Sequence, residues 1–220
     1  MNSAKTYYAD FSKLMSAENR EPFLSLITEE RRARIETCKR EETKASLLAS
    51  ELLLREVLRA NYGITELNLK TNEYGKPYLS DRDDLYFSLS HSGTTVICTV
   101  SNVECGADIE KIDKNHEVMN VANKFFSTPE YSAMFLSPNP KEAFCRLWTL
   151  RESYVKMRGK GFNIGLSTLR CDFRRGACSL YEGGILQADA KFKEFKNVLG
   201  YRISVCTKGE CEHEIFEAKM

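Results

Sequence analysis

Apolar residues recur at helical spacing early in the chain. Over residues 41–62 they fall every three or four positions, which predicts a long amphipathic helix, and Gly63 is suited to end it. Thr28 followed by Glu29 and Glu30 predicts the start of a shorter helix, because an N-cap hydroxyl and first-turn acids both stabilise a helix N-terminus.

Shorter apolar runs with turn residues between them predict strands in both halves of the chain. In the first half the predicted strands are residues 67–71, 78–79, 85–89, 94–101 and 106–110. Three further helices are predicted at residues 116–126, after Thr128 as cap with Pro129 at the first position, and at residues 141–158 before Gly159. The remaining strands are predicted at residues 169–173, 177–181, 185–192, 200–207 and 212–217.

The order of these elements predicts an α+β fold. Helices followed by strands occur twice, with a break near residues 103–105. We therefore expect two similar lobes, residues 1–104 and 105–220, each a small antiparallel sheet packed with helices. We also expect the lobes to be related by pseudo-two-fold symmetry, although no repeat is visible at the level of residues.

The charge balance argues against a nucleic-acid partner. The chain has 32 basic and 31 acidic residues, a net charge of +1, whereas proteins that bind nucleic acid usually have a clear basic excess. An anionic ligand would therefore be small and bound locally. One basic cluster is either such a site or a solvated helix face. It consists of Arg31, Arg32, Arg34, Lys39, Arg40 and Lys44.

Cysteine usage and hydropathy predict the compartment. Residues 1–11 contain no apolar signal-peptide core, and no apolar run is long enough to span a bilayer. The eight cysteines form no Cys-x-x-Cys pair. We interpret them as reduced, packed thiols, which predicts a cytoplasmic protein with no membrane partner.

Two acids lie two residues apart in one predicted strand. Asp108 and Glu110 should face the same side of that strand, about 7 Å apart, while Ile109 faces the other. Two adjacent carboxylates repel each other unless they are solvated or share a cation. The pair is therefore either an exposed polar strand face or a site for a hard cation such as Mg²⁺.

A second group of polar residues lies on the long predicted helix of residues 141–158. Trp148, Glu152 and Lys156 are spaced by four, so each drifts only about 40° from the last and all three share one stripe. The stripe is either an ordinary helix surface with a Glu–Lys pair or part of a catalytic site.

A third group follows a predicted strand and includes a histidine. Ser90 and His91 are adjacent, so their side chains point to opposite faces and do not form a nucleophile–base pair. No Gly-x-Ser-x-Gly elbow is present. We interpret Ser90-His91-Ser92-Gly93 as a turn rich in donors, in which His91 either donates to a phosphate or is a satisfied turn histidine.

Taken together and in order, these groups resemble the phosphopantetheinyl transferase superfamily. The motifs are Ser90-His91-Ser92-Gly93, Gly106-Ala107-Asp108-Ile109-Glu110 and Trp148-Thr149-Leu150-Arg151-Glu152-Ser153-Tyr154-Val155-Lys156. Gly75-Lys76-Pro77, and Phe125-Phe126-Ser127 with Glu130, also match. The resemblance covers nearly the whole chain. Its length and two-lobe pattern are similar to the type that activates surfactin synthetase in secondary-metabolite biosynthesis, rather than the short trimeric type of fatty-acid synthesis.

The resemblance implies a reaction, a metal and roles for the acids. Coenzyme A would be the substrate, bound with Mg²⁺, or alternatively Mn²⁺, in the cleft between the lobes. Asp108, Glu110 and Glu152 would bind the metal. Glu152 would also be the general base that activates a carrier serine, and Lys156 would steady the pyrophosphate.

The resemblance also implies contacts to the coenzyme. His91, with Ser90 beside it, would meet the 3′-phosphate, and Lys76 would lie by the adenine. Arg31 and Arg34 match positions where the family has basic residues near the same phosphate.

One departure from the family pattern lies at the start of the second helix. Ala45 stands where the family has an arginine. We expect Lys44 to substitute for it.

The implied partner is an apo acyl carrier or peptidyl carrier protein, and the implied oligomeric state is a monomer. We expect the carrier to dock on residues 111–126, whose apolar side chains fit a buried core equally well. Carrier domains are typically acidic, so nearby basic residues would steer them. Those apolar residues are Ile112, Val118, Met119, Val121 and Phe125.

Two other functions remain open at this level. An acid-x-acid pair with Glu-x-x-x-Lys loosely resembles a metal-dependent nuclease or phosphatase, which the near-neutral charge disfavours. A non-catalytic binder of carrier domains would be expected to lack a carboxylate or the lysine, and all of them are present.

Overall fold

The computed structural model describes residues 1–112, 118–174, 176–196, 198 and 200–219. The α-helices in this part of the chain are α1 (Ala17–Arg20), α2 (Glu29–Thr37), α3 (Glu41–Tyr62), α4 (Val118–Phe125), α5 (Thr128–Phe135) and α6 (Pro140–Arg158). The strands are β1 (Ser3–Asp10), β2 (Leu69–Thr71), β3 (Pro77–Leu79), β4 (Tyr86–Ser92), β5 (Thr95–Ser101), β6 (Cys105–Lys111), β7 (Leu169–Arg174), β8 (Ala177–Glu182), β9 (Ile185–Leu186), β10 (Ala190–Phe195), β11 (Tyr201–Lys208) and β12 (Glu212–Glu217).

The strands form two main sheets and two smaller ones. The first main sheet has the order β12-β1-β5-β4 and the second has the order β10-β11-β6. β2 pairs with β3, and β7, β8 and β9 form a small sheet. All neighbours are antiparallel except β1 and β12, which are parallel. The α+β class, with small antiparallel sheets packed with helices, is confirmed. The pseudo-two-fold symmetry and the division after residue 104 stay predictions.

The first sheet contains two strands that link the ends of the chain. β1 was not predicted, because its inward side includes small or polar residues such as Ala4 and Thr6, both fully buried. The hydroxyls of Thr6 and Thr99 share a 2.8 Å hydrogen bond inside the sheet. β12 pairs with β1. The final strand of the chain therefore lies in the first sheet, although it follows all strands of the second sheet in the sequence.

A long helix packs on each main sheet. α3 contacts β5 and β4, and its inward leucines, such as Leu48 and Leu54, are fully buried. Each such leucine stabilises the fold by roughly 1.5–3 kcal/mol through burial. α6 contacts β6 and β11 in the same manner, with Leu150 and Tyr154 fully buried.

Serine hydroxyls bridge the edges of the two main sheets. Ser88 accepts a hydrogen bond from the backbone N–H of Ala107 (2.9 Å), and Ser92 accepts one from that of Lys111 (3.0 Å). These contacts join β4 to β6, and no backbone ladder pairs these two strands in the described part of the chain. The seam between β4 and β6 therefore depends on side chains.

Three predicted boundaries were wrong or incomplete. The cap of α5 is Ser127, one residue before Thr128, and its N–H and hydroxyl both donate to Glu130 (2.9 and 2.6 Å). The strand predicted at residues 185–192 is divided into β9 and β10 by a turn. β4 runs to Ser92, so Ser90 and His91 lie in a strand and the predicted turn begins only at Gly93. The predicted start of the helix at His116 lies outside the described residues.

None of the helices in the described ranges is both long enough and apolar enough to cross a bilayer.

Gly106 lets α6 rest directly on β6. A Cβ atom at this position would lie 2.1 Å from the backbone oxygen of Ser153 and 2.2 Å from the backbone nitrogen of Met157. No side chain fits between such atoms, and neither backbone group can rotate away. Gly106 therefore sets the distance between β6, which carries Asp108 and Glu110, and α6, which carries Glu152.

We predict that Gly106→Ala destabilises the protein strongly. The methyl group must push α6 away from β6, and overpacking against backbone should lower the free energy of unfolding by about 3 kcal/mol or more. Urea denaturation of the variant measures this loss. Gly165→Ala is the matched control, because its Cβ would meet only Thr168 side-chain atoms at 3.4 Å and beyond. Equal stability of Gly106→Ala and wild type would contradict the close contact.

Candidate active site

Asp108 is the most confined acid of the site. It lies on β6 and is 5% exposed. Its Oδ1 accepts hydrogen bonds from the hydroxyl of Ser90 (2.7 Å) and the ammonium of Lys156 (2.6 Å). Its Oδ2 is buried and has no hydrogen-bond donor among the described residues. A buried carboxylate oxygen without a partner is costly, so Asp108 has room in its bonding for one more positively charged or donating group.

Glu110 lies beside Asp108 on the same face of β6, as predicted. Its Oε2 accepts a hydrogen bond from the hydroxyl of Ser92 (2.9 Å). Ser90 and Ser92 alternate along β4 as the two acids alternate along β6, so each acid meets one hydroxyl of the seam. The seam that joins the two sheets thus also orients both carboxylates.

α6 contributes the cation of the site. The ammonium of Lys156 donates to Asp108 and also to the backbone oxygen of Ala107 (3.2 Å). Trp148, on the same stripe, belongs to the apolar core instead. Its ring stacks on Phe144 with centroids 5.7 Å apart and meets the edge of Phe125 at 5.8 Å.

Glu152 is held where its charge is unfavourable. Burial is the main cause that raises its pKa from the ordinary value of 4.5 to about 7. The neighbouring charge of Asp108 raises it further, and Glu110 adds a smaller effect of the same sign, while Lys156 opposes them. A carboxyl group that titrates near neutral pH can accept and release a proton under physiological conditions.

A buried ion pair fixes the rotation of α6 next to Glu152. Arg151 is fully buried, and its guanidinium donates to Glu130 at 2.6 Å and to the backbone oxygens of Leu147 and Leu169. Glu130 also accepts the backbone N–H of Cys171 (2.7 Å). α5, α6 and β7 are therefore tied together at one charge pair, which would be costly to break because one buried charge would remain.

A groove leads to these residues. A cavity of about 280 Å³ has Glu152, Val155 and Lys156 on one wall and the turn between β2 and β3 on another. A second cavity of about 570 Å³ contains Arg31 and Arg34. The two cavities share Gly75 and Pro77 as lining residues. We call these two cavities, which adjoin at the turn between β2 and β3, the two-part groove.

The predicted coenzyme contacts are distributed along and beside this groove. Arg31 donates to Glu51 (3.3 Å), while Arg34 is exposed. Lys44 pairs with Glu41 at 2.9 Å and is not among the lining residues of either cavity.

Three further positions bear on the same prediction. Ala45 is fully buried in the core beneath α3, so an arginine could not be accommodated there without repacking. His91 is exposed on β4, on the opposite side from Ser90. Lys76 lines the 280 Å³ cavity, but its ammonium donates to the backbone oxygens of Cys105 (3.0 Å) and Met157 (3.2 Å).

Several contributors to the site were not predicted individually. The hydroxyls of Ser88 and Ser92 bind β6, and the alternation of serines along β4 is the sequence signal that could have indicated it. The pairing of Glu130 with Arg151 had no local signal, because the two residues are 21 positions apart.

The donor chemistry of the three acids fits a hard divalent cation. Asp108, Glu110 and Glu152 offer only oxygen ligands, which Mg²⁺ and Mn²⁺ prefer. The unpartnered Oδ2 of Asp108 and the raised pKa of Glu152 both indicate a cluster with too little positive charge. The side chains are not gathered into a closed set, since no three potential ligands within the described ranges meet the geometry of a metal site.

Family models match both parts of the chain. The model described as the 4′-phosphopantetheinyl transferase superfamily matches residues 104–206. A second model, described as 4′-phosphopantetheinyl transferase, N-terminal, matches residues 16–103.

Individual relatives agree with these matches. The chain is 29% identical to 4′-phosphopantetheinyl transferase Sfp of Bacillus subtilis over 92% of this chain and 91% of that protein. It is 32% identical to 4′-phosphopantetheinyl transferase gsp of Aneurinibacillus migulanus over 73% of this chain and 67% of that protein. A more distant likeness, at 15% identity and a TM-score of 0.40, is to the crystal structure of Thermotoga maritima holo-[acyl-carrier-protein] synthase, over 49% of this chain and 64% of that one.

The site therefore combines a pair of carboxylates on β6 with a Glu–Lys pair on α6, beside a cavity that α6 and the turn between β2 and β3 both line. The chain belongs to the 4′-phosphopantetheinyl transferase superfamily. The predicted resemblance, including the longer, surfactin-synthetase-activating type, and the prediction that the chain is an enzyme of this class are confirmed.

We predict that Glu152→Gln stabilises the metal-free protein at high pH. Because the pKa of Glu152 is higher in the folded state, the folded protein binds more protons than the unfolded chain between about pH 4.5 and 7. The free energy of unfolding therefore falls as pH rises through this window. The neutral amide removes that loss, so the variant should exceed wild type by about 1–3 kcal/mol at pH 8.

Urea denaturation with a chelator present, at pH 4 and pH 8, measures this difference. The advantage of the variant should disappear at pH 4, where wild-type Glu152 is itself neutral. Glu36→Gln, at an exposed position of α2, is the control and should show no comparable pH dependence. The same difference at both pH values would exclude a raised pKa at Glu152.

Proposed function

We propose that this protein transfers 4′-phosphopantetheine from coenzyme A to a serine of an apo acyl carrier or peptidyl carrier protein and releases adenosine 3′,5′-bisphosphate. The single observation that carries the proposal is that Glu152 and Lys156 line the two-part groove, with the ammonium of Lys156 bound to Asp108. Family membership supports the same reaction.

The reaction needs a base for the incoming hydroxyl. As the serine oxygen bonds to the β-phosphorus of coenzyme A, its proton must leave and the bond to the departing bisphosphate must break. Glu152 is the base we propose, because a pKa of about 7 lets it be ionised and yet basic at neutral pH. Burial, the first cause of that pKa, also limits competition from water.

The reaction also needs positive charge at the pyrophosphate. Lys156 carries that charge into the site, and its contacts with Asp108 and Ala107 hold the ammonium in a fixed direction. A preorganised cation stabilises charge as it develops without reorganisation at the moment of reaction. Phosphoryl transfer depends mainly on such positioning and neutralisation.

Asp108, Glu110 and Glu152 would hold a divalent cation, Mg²⁺ or Mn²⁺. Such an ion supplies positive charge to the pyrophosphate when it is bound. The seam serines keep the carboxylates directed to one place, since Ser90 binds Asp108 and Ser92 binds Glu110.

The coenzyme would lie along the two-part groove. We propose that Arg31 and Arg34 meet its 3′-phosphate from the larger cavity and that the exposed His91 contributes from β4. Ser90, which was predicted beside His91, would support the site through its hydrogen bond to Asp108 instead. Lys44 is the weakest member of this proposed set, since its ammonium already pairs with Glu41.

The carrier protein would dock near residues 111–126, of which residues 113–117 lie outside the described part of the chain. In α4, Val121 and Phe125 are only partly buried, which leaves some apolar surface for a partner. We further propose that the protein acts as a monomer in the cytoplasm, without a nucleic-acid partner. The eight free cysteines and the net charge of +1 support the compartment and the last point.

We predict that incubation of the protein with coenzyme A, Mg²⁺ and an apo carrier adds one phosphopantetheine to the carrier. Intact-mass spectrometry measures the gain, which should disappear with a chelator. Asp108→Asn should abolish the gain, because it removes a charge that Lys156 and the cation both require. Asp172→Asn, an acid on β7 away from the seam, is the control and should leave transfer intact.

Two outcomes would overturn the assignment. No gain on any carrier and no binding of coenzyme A would exclude the reaction. Salt-sensitive DNA binding or phosphodiester cleavage would favour a metal-dependent nuclease.

We also predict that Lys156→Met lowers kcat by about a hundredfold, because the variant keeps the length of the side chain but loses its charge. The KM for coenzyme A should change much less. Steady-state kinetics with a carrier substrate measures both values. Lys141→Met, at an exposed position at the start of α6, should change neither. An effect confined to KM would place Lys156 in ground-state binding.

A further inference from the structure

The turn between β2 and β3 closes on the end of α6. The ammonium of Lys76 donates to the backbone oxygen of Met157 (3.2 Å) in the last turn of α6 and to that of Cys105 (3.0 Å) on β6. The side-chain amide of Asn72 donates to the backbone oxygen of Gly159 (2.8 Å). These donors come from 81 and 87 positions earlier in the chain than the helical oxygens they bind.

The end of α6 presents groups that require such donors. The last carbonyls of a helix have no partner within it and carry the negative end of the helix dipole. The helix ends at Gly159 in the left-handed conformation, whose own N–H binds the oxygen of Val155. Lys76 and Asn72 thus complete the C-terminal cap from another part of the fold, and burial lowers the pKa of Lys76 at this contact.

The contact is close and internally braced. A Cβ atom at Gly159 would lie 2.9 Å from Cδ of Lys76 and 3.3 Å from Nδ2 of Asn72. Oδ1 of Asn72 accepts the backbone N–H groups of Tyr74 (3.0 Å) and Lys76 (2.9 Å), which holds the turn in one shape. Only glycine at position 159 allows the turn to approach this near.

The same two elements form facing walls of the 280 Å³ cavity. The turn contributes Gly75 and Lys76, and α6 contributes Glu152 and Lys156. The width of the cavity beside the reacting groups therefore depends on how the turn is attached to the helix end.

We propose that Lys76 and Asn72 are positioning residues that cap the C-terminal end of α6. In this way they set the width of the cavity between the turn and the pair Glu152 and Lys156. The inference rests on the proposed function for its kinetic part. Lys76 acts through α6: its ammonium donates to backbone oxygens and does not contact the adenine of the coenzyme.

The test compares Lys76→Met, Asn72→Ala and the double variant with wild type. Lys160→Met is the matched control, because it removes an exposed charge next to the same helix end. Each protein is measured for kcat and KM with a carrier, for the dissociation constant of adenosine 3′,5′-bisphosphate, and for hydrogen exchange of the backbone amides of residues 157–161.

The expected result is a fall in kcat of about ten- to a hundredfold in each single variant, since a small displacement of reacting groups has effects of this size. The double variant should lose less than the product of the single losses, because both residues serve one contact. Exchange at residues 157–161 should become at least about tenfold faster, and affinity for the bisphosphate should change by less than about twofold. Lys160→Met should behave as wild type.

The opposite pattern would overturn the proposal. If Lys76 contacts the adenine, Lys76→Met should weaken bisphosphate binding strongly. Asn72→Ala should then have wild-type kcat, and the exchange rates of residues 157–161 should be the same in all variants. If Lys76→Met does not fold, Asn72→Ala decides the question alone. Hydrogen exchange needs no turnover, so a wild-type protein inactive on every carrier would refute the proposed function while the cap was still tested.

Discussion

The seam between β4 and β6 is the constraint on which the site depends. The two strands meet through serine hydroxyls, and the serines of β4 alternate in step with the acids of β6. Ser90 therefore reaches Asp108, and Ser92 reaches Glu110. A shift of either strand by one residue would turn its whole row of side chains to the other face. The seam thus joins the two main sheets and orients the carboxylates of Asp108 and Glu110.

α6 must then be held against that seam at a fixed height and rotation. Gly106 allows its backbone to rest on β6 without an intervening side chain. The buried pair of Arg151 and Glu130 fixes its rotation from the opposite side. With the helix so confined, Glu152 is largely buried and lies near the charge of Asp108, and these two causes raise its pKa to about 7 in spite of Lys156. The raised pKa of this carboxyl group makes it suited to proton transfer near neutral pH.

Sequence patterns predicted the parts of the site that depend on local geometry. The spacing of Asp108 and Glu110 in a strand, and of Glu152 and Lys156 in a helix, fixes their faces before the fold is known. Pairing between segments distant in the sequence was harder to predict. β1 (Ser3–Asp10) has alanine and threonine among its buried residues, so its hydrophobic signal is weak, and its parallel pairing with the last strand joins opposite ends of the chain. The backbone oxygens bound by Lys76 likewise come from segments distant in sequence.

The most direct test of this account is the position of the cation. Crystals grown with coenzyme A and Mn²⁺ allow the ion to be located by anomalous diffraction. We expect one strong peak at the wall of the two-part groove, within about 2.6 Å of carboxylate oxygens of Asp108 and Glu152. An ion bound elsewhere, with none of Asp108, Glu110 and Glu152 among its ligands, would contradict the assignment of these carboxylates.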